Sequence, residues 1–178
     1  MRSGSTLVIR RVADGDDVVA AGRMVQAAYF SLPGYPRDDE YDALLGDVAS
    51  RARDAEVEVL VGVLDGRIVG CLTFLPSLDN DHAEFVDPNA TSFRYFGVDP
   101  AAQGSGVGEA MVRWCLDETA RLGQQRCRIH TLFSMPGAQR LYERLGFVRT
   151  PDHDAEWDGI VGLALSFEIG AASAGHRR

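Results

Sequence analysis

Between residues 98 and 108 the chain reads VDPAAQGSGVG, in which Gly104, Gly106 and Gly108 stand at every second position. The aromatic-rich stretch from Thr91 to Val98 before it is typical of a β-strand. After it, apolar residues recur at helical spacing, so a strand, a glycine-rich turn and a helix are predicted in succession. This arrangement places backbone N–H groups at the positive end of a helix, where phosphate groups bind.

Two common nucleotide-binding motifs do not fit this stretch. The dinucleotide pattern G-x-G-x-x-G fails because Glu109 occupies the place of its last glycine. The P-loop pattern fails because no Lys-Ser or Lys-Thr pair follows. A tight turn that needs glycine only for its backbone angles is the other interpretation, but three alternating glycines exceed that need. The stretch from Gln103 to Gly108, called the glycine loop below, therefore predicts a ligand.

The rest of the chain predicts further strands and helices. Two apolar runs between Val57 and Pro76 are separated by Asp65-Gly66, a dipeptide typical of a two-residue hairpin turn. Other strands are predicted at 6–12, 91–98, 126–132, 147–149 and 160–169, and helices up to Tyr29, over 39–54, over 104–122 and from Pro136 to Gly146.

Composition predicts one soluble cytoplasmic domain. The chain has 178 residues, of which 46% are hydrophobic and 25% charged, and it contains no apolar run of membrane-spanning length and no secretory signal pattern. A net charge of -8 argues against nucleic acid as a partner. Cys71, Cys115 and Cys127 lie in apolar patterns, and the four histidines lack ligand spacing, so neither disulfides nor a metal are expected.

A second motif, AQRLYERLGF at residues 138–147, follows the glycine loop in the chain. With VDP and the glycine loop it resembles the GCN5-related N-acetyltransferase (GNAT) family, over roughly residues 6–169. The resemblance implies an α/β (α+β) fold, a single three-layer αβα domain with a mixed, mostly antiparallel central sheet. We expect this domain to span residues 1–170, with 171–178 as a flexible tail.

The resemblance also implies a cosubstrate and a set of site residues. The cosubstrate is acetyl-CoA, and no metal is implied. Val98 would hold the thioester carbonyl through its amide, and Tyr142 would protonate the departing thiolate. The implied cofactor-binding residues are Phe96, Val98, Gln103, Gly104, Ser105, Gly106, Val107 and Gly108. Without the resemblance, an aromatic residue on the apolar stripe of a helix would be interpreted as core.

Two positions depart from the family pattern. Met135 stands where an asparagine is frequent, and Ser92 stands where a glutamate often serves as base. The base is therefore open between Glu84, His130 and water. On its strand His130 is in phase with two arginines, so an ordinary polar residue is the alternative there.

The acceptor is expected to be a primary amine on a small molecule or peptide. Acidic residues at 38–40 and 79–87 predict a cationic acceptor, although acidic loops are usually only solvated. A degenerate domain that senses acyl-CoA without turnover is the alternative function, and a surface for assembly is a third. A homodimer is left open, and no membrane partner is expected.

Overall fold

The structure is a computed structural model that describes residues 4–170. Tertiary contacts divide these residues into two compact units. The first unit joins the chain up to Phe74 with Arg94–Trp114, and the second joins Leu75–Phe93 with the chain from Cys115 onward.

The described residues form eight strands and five α-helices, with short 3₁₀ turns at 100–102 and 151–153. The strands are β1 (Leu7–Arg11), β2 (Glu58–Leu64), β3 (Arg67–Leu75), β4 (Ala90–Val98), β5 (Arg126–Thr131), β6 (Val148–Arg149), β7 (Ala155–Trp157) and β8 (Ile160–Glu168). The helices are α1 (Val18–Phe30), α2 (Asp39–Gly46), α3 (Val48–Arg53), α4 (Val107–Arg121) and α5 (Pro136–Leu145).

In the first unit the strand order is β1-β2-β3-β4. The pairs β1–β2 and β2–β3 are antiparallel. Asp65 and Gly66 join β2 to β3 with φ values of +50° and +80°, the left-handed angles that a two-residue hairpin turn requires. The predicted hairpin is confirmed.

Helices cover both faces of the strands in the first unit. Gly70 of β3 faces α4, because a Cβ built there would lie 2.6 Å from the sulfur of Met111. Thr73 has the opposite parity on the same strand and accepts a hydrogen bond from Arg51 of α3. Because helices lie on both of its faces, β3 is buried from Val69 to Leu75.

The helix predicted over 39–54 is interrupted at Asp47. This residue ends α2 and begins α3 with φ -84° and ψ 56°, outside the helical region. Its carboxylate accepts a hydrogen bond from the amide of Ser50 at 3.1 Å. A capping carboxylate satisfies an amide at the start of a new helix, which explains why two short helices replace one long one.

In the second unit the start of β4 pairs with β5 in parallel, through Ala90 opposite Arg126 and Thr91 opposite Cys127. Strand β8 pairs antiparallel with β5, β6 and β7. The sheet is mixed and mostly antiparallel, so the predicted fold class is confirmed. Strand β7 was not predicted, although its turn to β8 is another Asp-Gly pair.

The three cysteines are buried and free. Burial raises the pKa of the Cys71 and Cys127 thiols to about 12, so both remain neutral. In the described part of the chain, every helix is too short or too polar to cross a membrane. The tail expected at 171–178 lies outside the described residues, and the domain boundary at 170 stays a prediction.

Candidate active site

The glycine loop is shaped by local hydrogen bonds and by left-handed glycines. Asp99 accepts a hydrogen bond from the amide of Ala101 at 2.9 Å and so starts the 3₁₀ turn that follows β4. Ala102 then accepts hydrogen bonds from both the amide and the hydroxyl of Ser105. Gly104 and Gly106 have φ values of +82° and +85°, which residues other than glycine adopt only at a cost in free energy.

This loop exposes a row of unpaired backbone donors. Within residues 4–170, the N–H groups of Gly104, Gly106, Val107 and Gly108 have no acceptor. The first bond of α4 runs from the amide of Ala110 to the carbonyl of Gly106 at 3.0 Å. These amides are therefore donors at the positive end of a helix, which is an anion-binding arrangement. A Cβ added at Gly104 or Gly106 would meet no protein atom within 4 Å, so the space there is open.

The last three residues of β4, Phe96 to Val98, are held on two sides. The amide of Asp99 donates to the carbonyl of Val69 on β3 at 2.8 Å. A Cβ at Gly97 would lie 2.9 Å from the Cα of Val25, so α1 packs directly against this part of β4. Phe96 and Val98 are both half-buried. The strand end that leads into the glycine loop is therefore well fixed.

Tyr95 is an irregular residue within β4. Its φ is +51°, a left-handed value that costs a non-glycine residue about 1–2 kcal/mol. The ring is buried, and the guanidinium carbons of Arg51 and Arg94 lie 4.2 and 4.6 Å from its centroid. Residues held in such conformations cluster at functional sites. No pattern in the sequence signals this irregularity.

Tyr142 lies on α5, which ends at the left-handed Gly146. Its ring is 6% exposed and packs against Phe93 at 5.9 Å and Phe147 at 5.6 Å between centroids. Burial raises the pKa of the phenol above its ordinary value, so the hydroxyl keeps its proton at neutral pH. This hydroxyl has no hydrogen-bond partner in the described chain, and it is not among the fully enclosed unsatisfied atoms. The ring is core, as one interpretation predicted, but the hydroxyl is available as a proton donor.

Glu84 and His130, the two candidate bases, lie next to each other. The Glu84 carboxylate is 3.5 Å from Nδ1 of His130, and Nε2 of His130 is 3.0 Å from the backbone carbonyl of His153. A carbonyl only accepts, so Nε2 carries a proton and Nδ1 faces the carboxylate. The imidazole is stacked on Phe85 at 4.1 Å and meets the edge of Trp157 at 5.2 Å.

The two members of this pair differ in their access to a substrate. Nδ1 of His130 is fully enclosed, and Nε2 is engaged by a carbonyl. The side chain of Glu84 is 18% exposed. Glu84 is therefore the more accessible member of the pair, and Nδ1 of His130 makes no hydrogen bond within the described residues.

Tyr142 and His130 belong to opposite faces of the strands in the second unit. Thr91 and Phe93 of β4 contact Thr119 of α4 and Tyr142 of α5. Since side chains alternate along a strand, Ser92 points to the other face of β4. Alternation along β5 likewise places His130 on the face opposite that of Cys127, whose partner in register is Thr91.

Met135 is the residue that precedes α5, and it makes no side-chain cap to the helix. Its sulfur accepts a hydrogen bond from the hydroxyl of Thr131 at 3.7 Å. The neighbouring Ser134 has a buried hydroxyl without a partner in the described chain. The polar contact that asparagine would provide is therefore absent at 135, but an unsatisfied hydroxyl lies one residue earlier.

Several of the acidic residues predicted to attract a cation have structural roles. Asp38 caps α2 by accepting from the amide of Tyr41 at 2.8 Å. Asp87 accepts from both Arg126 and Arg128, and these bonds lower the pKa of its carboxyl. Across residues 4–170 there is no group of three His, Cys, Asp or Glu side chains that could hold a metal ion.

Along the chain, strand β4 is followed by the glycine loop and then by α5, the helix that carries Tyr142. Residues 22–147 match the model of the Acetyltransferase (GNAT) family. The chain belongs to this family. A search of curated proteins gives no significant match to the sequence.

Solved structures share the GNAT fold at low sequence identity. The structure of yncA from Salmonella typhimurium with its cofactor acetyl-CoA is 19% identical, with a TM-score of 0.62, 93% of this chain covered and 95% of that one. For the ribosomal-protein-S18-alanine N-acetyltransferase from Escherichia coli the identity is 18%, the TM-score 0.64 and the coverage 92% and 94%. For a GCN5-related N-acetyltransferase from Kribbella flavida these values are 21%, 0.66, 92% and 98%.

Proposed function

We propose that this GNAT protein transfers the acetyl group of acetyl-CoA to a primary amine of a small molecule or peptide. The supporting observation is the set of amides at Gly104, Gly106, Val107 and Gly108, at the start of α4, which have no acceptor within residues 4–170. Coenzyme A carries a pyrophosphate that such a row can bind through several N–H groups at once. Gln103, Ser105 and Val107 contribute to the same loop, and Phe96 and Val98 lie on the strand that enters it.

The reaction is a direct attack of the amine nitrogen on the thioester carbonyl. The C–N bond forms, the C–S bond breaks, and the carbonyl oxygen carries the negative charge in between. In the proposal the amide of Val98 donates a hydrogen bond to that oxygen. Tyr142 gives its proton to the departing thiolate, whose conjugate thiol has an ordinary pKa of about 8.5.

The amine must lose a proton before it can attack. An alkyl ammonium with a pKa of about 10.4 costs roughly 4–5 kcal/mol to deprotonate at pH 7. We assign this proton to Glu84, whose carboxylate lies 3.5 Å from Nδ1 of His130. Glu84 and Tyr142 lie on opposite faces of the strands. This suits a reaction in which the amine loses a proton and the departing thiolate receives one.

The first test is release of free CoA thiol from acetyl-CoA across a panel of amines, amino acids, polyamines, antibiotics and peptides. Mass spectrometry should detect the acetylated amine for every acceptor that releases thiol. An enzyme that binds acetyl-CoA but releases thiol with none of these amines would contradict the proposed activity.

A second candidate is a sensor that binds acyl-CoA without turnover. Two observations favour it: Met135 supplies no polar side chain at the start of α5, and Ser92 supplies no carboxylate on β4. Tight binding of acetyl-CoA with no thiol release would support this candidate.

We also propose a cytoplasmic location, because reducing conditions there keep thiols free, and all three cysteines are free in the structure.

A further inference from the structure

Arg51 of α3 is a buried cation that has no carboxylate partner within residues 4–170. The residue is only 3% exposed. In the described chain no carboxylate lies within 4.0 Å of its guanidinium. The N–H groups instead donate to the Thr73 hydroxyl at 2.9 Å, to the Leu45 carbonyl at 3.2 Å and to the Leu44 carbonyl.

These acceptors explain why the charge is tolerated. Leu44 and Leu45 lie in the last turn of α2, where the unpaired carbonyls form the negative end of the helix. Burial still lowers the pKa of Arg51, although a guanidinium remains protonated. Because the residue is almost fully enclosed, it does not offer its charge to a substrate.

Arg51 also contacts Tyr95. The guanidinium carbon lies 4.2 Å from the centroid of the Tyr95 ring, within the range of a cation–π interaction. Arg51 thus joins α2, α3 and β3 to the one residue of β4 with a left-handed backbone. A residue in that conformation persists only where its surroundings fix it.

We propose that Arg51 is a positioning residue for acyl transfer. By holding the ring of Tyr95, it fixes the left-handed turn of the backbone and so the direction of the N–H groups from Phe96 to Val98. This inference rests on the proposed function, because Val98 is the residue to which the thioester carbonyl is assigned. The glycine loop is stabilised by its own hydrogen bonds and does not depend on Arg51.

If Arg51 had a purely structural role, its loss would weaken the binding of coenzyme A and of acetyl-CoA equally. A positioning role predicts different effects on the two ligands. Coenzyme A and acetyl-CoA share the pyrophosphate, but only acetyl-CoA has the thioester carbonyl. Loss of Arg51 should therefore impair use of the acetyl group while the affinity for coenzyme A is retained.

The experiment compares Arg51→Met with Arg11→Met. Arg11 is a matched control, because its guanidinium lies 5.0 Å from the Trp114 ring but its side chain is half exposed and far in sequence from β4. Calorimetry gives the Kd of each ligand, and thiol release gives kcat, both well below the unfolding temperature. For Arg51→Met we expect about a tenfold loss of kcat, at least a threefold fall in the preference for acetyl-CoA over CoA, and a CoA Kd within twofold of wild type. Arg11→Met should match wild type in all three.

Two further variants keep the inference testable if Arg51→Met folds poorly. Arg51→Lys retains the charge but loses the planar group that lies on the ring, so a partial loss of kcat is expected. Tyr95→Leu should lower kcat as much as Arg51→Met, and the double variant should be no worse than either. Additive losses, or an equal weakening of both ligands with kcat unchanged, would overturn the inference.

Failure of the proposed function has a different signature. If wild type turns over no amine, the kcat readout is lost, but the ratio of the two Kd values still reports on Arg51. An unchanged ratio in Arg51→Met would refute the positioning role by itself.

Discussion

The glycine loop and the side chains assigned to proton transfer are built in different ways. The loop offers backbone N–H groups whose directions are set by the left-handed Gly104 and Gly106. Tyr142 and Glu84 would act through side chains, and their surroundings come from separate parts of the chain, such as Phe93 for Tyr142 and His130 for Glu84.

This difference separates binding from chemistry. A backbone site is disabled by adding atoms, because no side chain can be removed from it. A side-chain site is disabled by removing one functional group while the packing is retained. Changes in the loop should therefore alter ligand affinity, and changes at Tyr142 or Glu84 should alter the rate of the chemical step.

The largest effect is expected from Gly106→Val combined with Gly108→Val. The new side chains would occupy the space proposed for the pyrophosphate, and valine at the φ of Gly106 is strained. We expect the Kd for coenzyme A to rise at least 100-fold, about 2.7 kcal/mol, by calorimetry. Gly15→Val is the matched control, because Gly15 has φ +91° and open space around it but lies outside the loop. Unchanged affinity in a folded double variant would refute the site.

Glu84→Gln should give the next largest effect. The amide cannot accept the proton of the amine, so kcat/KM at pH 7 should fall by about 100-fold, with coenzyme A affinity unchanged. Raising the pH should recover part of the rate, because more of the amine is then already neutral. His130→Gln should cause a smaller loss with the same pH dependence. A wild-type rate in Glu84→Gln would show that Glu84 is not the base and would favour water in that role.

Tyr142→Phe removes only the hydroxyl and should reduce kcat by about 10–100-fold. The ring contacts with Phe93 and Phe147 remain, so stability and CoA affinity should stay near wild type. Because burial raises the pKa of Tyr142, the wild-type rate should show no loss from its ionisation up to about pH 10. A wild-type rate in the variant, with chemistry shown to limit turnover, would mean that Tyr142 is only core.

A weaker effect is expected from Asp39→Asn with Glu40→Gln. These residues lie in the first turn of α2, and Asp38 is left in place because it caps the helix. If they attract a cationic acceptor, its KM should rise about threefold, and salt should raise the wild-type KM for a cationic but not for a neutral amine. Equal salt responses for the two amines would refute the attraction.

The smallest effect concerns stability alone. Arg149 lowers the pKa of Asp154 to about 2, and Asp154 also accepts from the amide of Ala164. The folded pKa is below the unfolded value, so this stabilisation is present above about pH 4 and is lost as the pH falls to 2. Asp154→Asn should cost about 1 kcal/mol or less at pH 7, and this cost should shrink in acid denaturation experiments. A cost that does not depend on pH would exclude the carboxylate charge as its cause.

The features predicted from the sequence are those that depend on neighbouring residues. The Asp65-Gly66 turn, the helix from Pro136 and the glycine loop each follow from a few adjacent residues, and the structure contains all three. The roles of the loop residues and of Tyr142 stay predictions.

The features that were missed depend on long-range contacts. The contact of Glu84 with His130 joins residues 46 positions apart, and Arg51 meets Tyr95 across 44. The left-handed backbone of Tyr95 is stabilised by packing and not by its own residue type, so no local pattern reveals it. The break at Asp47 was missed because aspartate is tolerated in a helix as well as at its start.

Strand β6 has a consequence for assembly. It contains only Val148 and Arg149, pairs with β8 and is followed by Pro151, which cannot donate a backbone hydrogen bond. Short edge strands are one way in which proteins prevent other chains from extending their sheets. A second copy or an aggregating peptide would find few backbone groups to pair with along this edge, even though the Val148 side chain is 67% exposed.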